Sequence, residues 1–138
     1  MNPLYKVWGN GNIHINIDPC PKPRMTRSDR WKKRKCVQEY WAFKDKIQEV
    51  EPLKNIDLSD YKITFYVPMP KSWSKKKTVE MFNTKHLQTP DLDNFEKALY
   101  DAVYKNDSHI WRNNNKKLWH TSGSITLEPI GENNGPNN

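Results

Sequence analysis

Ten prolines cut this chain of 138 residues into short stretches. Each proline fixes φ and lacks an amide hydrogen, so neither a helix interior nor a central strand runs through it. Pro19, Pro21 and Pro23 end one stretch, Pro52 a second, Pro68 and Pro70 a third, and Pro90 stands ahead of a fourth. What remains is a single small domain of brief strands and helices, expected over residues 1–130, with a polar Gly/Asn/Pro tail over 131–138 expected to be disordered. No stretch approaches the ~18 apolar residues of a membrane span, and Met1 to Asn10 lacks the apolar run of a signal peptide. The expected location is the cytoplasm, at the nucleoid, with no membrane partner.

Apolar spacing between the breaks assigns the elements. Ile13, Ile15 and Ile17 alternate with polar residues and predict a strand over Asn12–Ile17. Tyr40, Trp41, Lys44, Ile47 and Val50 carry mixed three- and four-residue spacing and predict a helix over Val37–Val50. Ile63, Phe65 and Val67 predict a strand over Tyr61–Val67. Lys71–Lys77 reads as a basic loop around Trp73, and Thr78–Phe82 as a helical turn. A helix is expected from Asp93 to about Lys105, with Asp93 as its cap and Glu96 completing a capping box. At about 100° per residue, Lys97, Tyr100, Asp101 and Tyr104 share a face with Asp93, while Phe95, Ala98, Leu99, Ala102 and Val103 form the buried face. Ser108–Trp111 predicts the start of a strand that Lys116–His120 continues or pairs with. Asn113 to Asn115 reads as a turn, and Ser124–Ile130 as a last strand. The order strand, helix, strand, helix, strand, strand specifies a small α/β domain of the α+β type with a mixed sheet. Trp41, Trp111 and Trp119 are expected to pack in the core or between subunits.

Charge narrows the partner. The net charge is +7, and Lys22–Lys35 holds eight cationic side chains against one Asp, which accounts for the whole excess. A basic segment on a neutral body points to a polyanion. Arg24, Arg27, Arg30, Lys32, Lys33, Arg34 and Lys35, with Trp31 among them, form the first candidate phosphate-binding surface. Lys75, Lys76 and Lys77 form a second, and Lys116 and Lys117 a third. An ordinary solvated loop is the competing reading. Cys20 and Cys36 make no disulfide framework or zinc pattern and are expected as reduced thiols. His14, His86, His109 and His120 lack metal-ligand spacing and are expected as surface or packed residues.

In so basic a chain, Asp91-Leu92-Asp93-Asn94 with Lys97 and Asp107 needs a reason. Mg²⁺ takes a few carboxylates plus substrate phosphate and water, and a strand-to-helix junction can turn Asp91 and Asp93 toward one another. Lys97, one helical turn on, would face the phosphate. The competing reading is an N-cap, a turn residue after Pro90 and a solvated lysine.

The run from Pro90 to Ala102 resembles the signature of the RusA family of Holliday junction resolvases: Asp-x-Asp-Asn, then Lys97, then Asp101-Ala102, with an acidic pair downstream. Ser72 to Lys77 and Gly123-Ser124-Ile125 also resemble that family. The resemblance implies a RusA-like fold and a small homodimeric endonuclease that resolves four-way DNA junctions in recombination and repair. It also implies Mg²⁺, with Mn²⁺ able to substitute. By position, Asp91, Asp93 and Asp107 correspond to the metal-binding acids, and Lys97 to the catalytic lysine. The chain departs from the pattern at Asn106, where the family has the first Asp of the pair, and in a shorter link from Asp101 to Asp107. Asp107 follows Asp93 by 14 residues, which would be ~20 Å along a continuous helix. Either the helix ends early and the chain doubles back, or a partner subunit delivers Asp107. Asn106 favours a second hypothesis, a junction-binding module that has lost cutting; an RNA-cleaving nuclease is a third. The small single-domain design fits a bacterial or phage-encoded enzyme.

Overall fold

Short runs of alternating β-branched and aromatic residues, interrupted by proline, pair into one five-stranded sheet. The computed structural model describes residues 3–24 and 34–131. In chain order the elements are β1 (Tyr5–Val7), β2 (Ile13–Ile15), α1 (Lys35–Gln48), β3 (Tyr61–Pro68), α2 (Lys75–Met81), α3 (Leu92–Val103), β4 (Lys116–His120) and β5 (Ser124–Pro129). The sheet order is β1-β2-β5-β3-β4. Only β3 and β4 run parallel, and α2 and α3 lie in the long crossover that such a pair requires.

The register explains the core. Ile13, Leu127 and Ile63 lie opposite one another across β2, β5 and β3, and so do Ile15, Ile125 and Phe65. These six side chains form two apolar rows on one sheet face, all buried. α1 covers them with Tyr40, Phe43 and Ile47, and α3 with Phe95, Ala98, Leu99 and Ala102. Phe95 of α3 stacks on Phe65 of β3 with ring centroids 5.5 Å apart.

The expected order of elements is present, with β1 added in front and α2 extended. β2 stops at Ile15, because the Ile17 amide bonds back to the Ile15 carbonyl at 3.0 Å. α2 begins earlier than the turn expected at Thr78: the Ser74 hydroxyl accepts from the Lys77 amide at 3.1 Å and caps it, so Lys75, Lys76 and Lys77 form its first turn rather than a loop. The strand expected over Ser108–Trp111 is absent. Side chains satisfy that backbone instead: the Asn106 side chain accepts from the Ser108 amide, and the Ser59 hydroxyl accepts from the Trp111 amide. Trp119 is buried as expected, but Trp41 and Trp111 are exposed and outside the core. Trp41 follows the buried Tyr40 on α1 and lies beneath the Lys44 ammonium, and the Arg112 guanidinium covers Trp111. Residues 25–33 and 132–138, with most of the basic segment and nearly all of the expected tail, lie outside the described residues.

The β4–β5 turn depends on one glycine. A Cβ at Gly123 would overlap the Asp18 carboxylate and come within 2.8 Å of the Asp18 Cα. Gly123→Ala should therefore destabilise the fold by about 1–3 kcal/mol, the usual range for overpacking. Gly9→Ala, which meets nothing within 4 Å, should stay within about 0.5 kcal/mol of wild type. Thermal unfolding of the two variants checks this, and equal melting temperatures would contradict it.

Candidate active site

α3 starts one residue earlier than its sequence suggests. Asp91 is the N-cap residue, with extended φ and ψ, and Leu92 is the first helical residue. The cap is made by backbone alone, with the Asp91 carbonyl accepting from the amides of Asn94 and Phe95 at 3.1 and 3.4 Å. Its carboxylate makes no cap hydrogen bond and is left exposed. Asp93 lies inside the first turn instead of capping it, and Leu92 between them anchors the turn to the core. The Asp93 carboxylate pairs with the Lys97 ammonium at 3.6 Å across one helical turn, with both side chains about 60% exposed. An exposed pair of this kind is held weakly and exchanges partners cheaply.

Glu96 is not the partner of a capping box. It turns inward and is buried, with its Oε2 accepting from the Asn115 side chain at 2.6 Å. The same amide nitrogen bonds the Tyr100 hydroxyl at 3.3 Å, and Asn115 Oδ1 accepts from the Ile63 amide at 3.1 Å. Asn115 thus joins the lead-in of β4 to β3 and α3, and Tyr100, expected on the open face, is buried beneath it. Burial pushes the Glu96 carboxyl up, Asp93 adds to this, and the Asn115 bond opposes it.

The other residues expected beside Asp93 are tied down. The Tyr104 hydroxyl accepts from the Leu58 amide and donates to the Ile56 carbonyl. Asp101 receives the Tyr40 hydroxyl at 3.2 Å and the Lys22 ammonium at 2.5 Å. Burial, then Asp101, pushes the Tyr40 phenol up to about 12. The Lys22 amide also donates to the Asn94 carbonyl at 3.2 Å, so the proline-rich segment is bound along α3. Between them opens a cleft of about 470 Å³ lined by Lys22, Pro23, Arg24, Asn94 and Lys97. Of the eight cationic residues of the basic segment, Lys22, Arg24, Arg34 and Lys35 are described, with the Arg34 guanidinium donating to the Arg24 carbonyl at 2.9 Å. Arg27, Arg30, Lys32 and Lys33 lie outside the described residues.

Lys75, Lys76 and Lys77 are exposed on α2, with the Lys77 ammonium 4.4 Å from the Trp73 ring centroid. Lys116 is exposed, but the Lys117 ammonium donates to the carbonyls of Gln88 and Pro90 at 2.6 and 2.7 Å. The four histidines are held by neighbours: His14 by Thr126 and Asn16, His86 against Trp119, His109 against Tyr104, and His120 against Tyr66 and Phe82. Cys20 and Cys36 are free thiols, and burial pushes Cys20 up to about 11.

Asp107 lies past the end of α3, exposed, in a turn closed by the Ile110 amide on its carbonyl. The chain then runs to the Leu58–Asp60 turn, where Arg112 donates to the Ser59 carbonyl at 2.8 Å. Among the described residues no three His, Cys, Asp or Glu side chains group closely enough to hold a metal ion, so Asp91, Asp93 and Asp107 are not gathered within one chain. Sequence reasoning named Asn115, Lys22 and Asp101 but gave them neither the Lys22–Asp101 pairing nor the bonds of Asn115 to Glu96 and the Ile63 amide. The Asn113–Asn115 run and the Asp101-Ala102 step drew attention to their neighbourhoods.

Comparison with known proteins adds one finding. The family model described as endodeoxyribonuclease RusA matches residues 16–128, which include the acidic motif, the cleft and Asp107. No curated protein and no solved structure matches the chain.

The buried Glu96 makes stability depend on pH. Its native pKa is raised, so its stabilising contribution is full below the ordinary value of 4.5 and is lost as pH rises through the native value. Glu96→Gln abolishes that titration and keeps an acceptor for Asn115. The variant's melting temperature should gain on that of the wild type as pH rises from acid to neutral. A difference that stays constant with pH would contradict the raised pKa.

Proposed function

The chain belongs to the RusA endodeoxyribonuclease family, and from that premise we propose that it resolves four-way DNA junctions by hydrolysing one phosphodiester in each of two strands. The observation that supports this reading best is the pair of exposed carboxylates, Asp91 at the N-cap and Asp93 in the first turn of α3, beside a cleft with three cationic side chains. In this reading the role is in DNA recombination and repair in a bacterial cytoplasm, at the nucleoid. No helix among the described residues is long and apolar enough to cross a membrane.

Asp91 and Asp93 suit a hard cation: their oxygens face solvent, and the Asp91 carboxylate is not used in capping. They would hold Mg²⁺, with Mn²⁺ able to replace it, and the ion would supply an activated water and stabilise charge at the leaving oxygen. Lys97 leaves its weak pairing with Asp93 to hold the scissile phosphate. Lys22 and Arg24 hold the adjoining backbone in the cleft, with Lys22 positioned by Asp101. Arg34, Lys35, Lys75, Lys76 and Lys77, together with Arg27, Arg30, Lys32 and Lys33, would contact the junction arms.

In our reading Asp107 completes the set from a second copy of the chain, since three acids are not grouped within one. A two-fold homodimer then carries two composite sites, matching the symmetry of the junction. Asn106 is compatible with activity: it serves its own turn through the Ser108 amide, a bond that an Asp accepts equally well.

The test is cleavage of a labelled four-way junction, a linear duplex and an RNA, with Mg²⁺ and with EDTA. Paired symmetric nicks, confined to the junction and dependent on Mg²⁺, are expected. Asp93→Asn should bind the junction without cutting it, and Lys97→Ala should lose about a hundredfold in rate, typical of a group that stabilises transition-state charge. Tight binding with no cutting under any metal would instead indicate a binding module, and cleavage of RNA alone an RNA nuclease. Mixing Asp93→Asn with Asp107→Asn chains tests the composite site. Single nicks should return if Asp107 acts across the dimer, and the mixture should stay inactive if it acts within one chain.

A further inference from the structure

Lys117 stood among the cationic residues expected to meet DNA, and the fold gives it other partners. β4 is an edge of the sheet, but its outer side is covered. The amides of Asn83 and Trp119 bond the carbonyls of Trp119 and Thr84 at 2.9 Å, and the His86 amide bonds the Lys117 carbonyl at 3.2 Å. The chain must then cross from the β4 edge at His86 to the start of α3 at Leu92. No strand or helix supports that passage, and Leu87 within it is 82% exposed.

Lys117 lies level with Phe65 in the parallel register, on the face that α3 covers. From there its ammonium reaches under the passage and binds the carbonyls of Gln88 and Pro90, which immediately precedes Asp91. An ammonium has three N–H donors, so two of them are committed to this segment. The Asp91 carboxylate lies within electrostatic range of the same ammonium.

We infer that Lys117 is a positioning residue: it anchors the Gln88–Pro90 backbone from the sheet side and so sets the Asp91 carboxylate for a divalent cation, and it does not contact DNA. This rests on the reading of Asp91 as a metal ligand. Partners in that layer typically change metal affinity or activity by about 10–100-fold when removed.

The test uses the full chain with Lys117→Met, which keeps the apolar stem, and Arg24→Met as the comparison. Three measurements are made: amide hydrogen exchange from His86 to Asn94, Mn²⁺ binding by titration calorimetry without DNA, and the salt dependence of junction binding in EDTA. Lys117→Met should raise exchange across the segment and weaken Mn²⁺ binding by about 10–100-fold. It should leave the salt slope unchanged, whereas Arg24→Met should lower the slope by about 0.9, the value of one phosphate contact. A slope lowered by Lys117→Met with exchange and Mn²⁺ binding unaltered would overturn the inference and return Lys117 to the DNA surface. Raised exchange with unaltered Mn²⁺ binding would keep the anchor and overturn the assignment of Asp91. If Lys117→Met does not fold, Lys117→Arg serves: its planar fork keeps the charge but not the geometry of the two bonds, and the same three readouts should move the same way.

Discussion

The arrangement hangs on the seating of α3 against the centre of the sheet. Phe95 stacks on Phe65, and Ala98, Leu99 and Ala102 close over the rows made by β2, β5 and β3. The small residues let the helix lie close, and the aromatic pair fixes its rotation. Once that rotation is set, Asp93 and Lys97 face outward and Asp91 sits at the helix mouth. A helix free to roll by one residue would carry the carboxylates away from Lys22 and Arg24. Core packing and site geometry are therefore one constraint.

Polar contacts refine what the apolar contact fixes. Asn115 bonds β3 through the Ile63 amide and α3 through Glu96 and Tyr100. Asp101 binds Lys22 on one side and Tyr40 of α1 on the other. Each is a short side chain meeting groups from more than one element, so each fixes relative positions that hydrophobic contact leaves loose. The acidic turn thus stands in a basic chain on a rigid support.

What could be read in the sequence follows the range of the forces involved. Periodicity located β3, β5, α1 and α3, because burial of one face imposes it over many residues. The Asp91–Lys97 motif was legible because its parts lie within one helical turn. The inward turn of Glu96 was not, since it depends on Asn115, a partner 19 residues away. Nor was the irregular path over Ser108–Trp111, where the side chains of Asn106 and Ser59 accept from the Ser108 and Trp111 amides in place of a strand partner. The capping box failed for a local reason: the backbone entered helical geometry at Leu92, before Asp93 could cap it.

α2 buries none of its residues. It is tethered where it begins, by Trp73 packed on Trp119 with centroids 4.8 Å apart and by the Ser74 cap. Its cationic turn therefore carries little of the load of folding, because substitutions on an exposed surface rarely cost more than about 0.5 kcal/mol. Selection can rewrite Lys75, Lys76 and Lys77 without reopening the question of how the rest of the chain folds. The molecule thus separates a part that is free to adapt from the acidic turn of α3, where nearly every neighbour is spoken for.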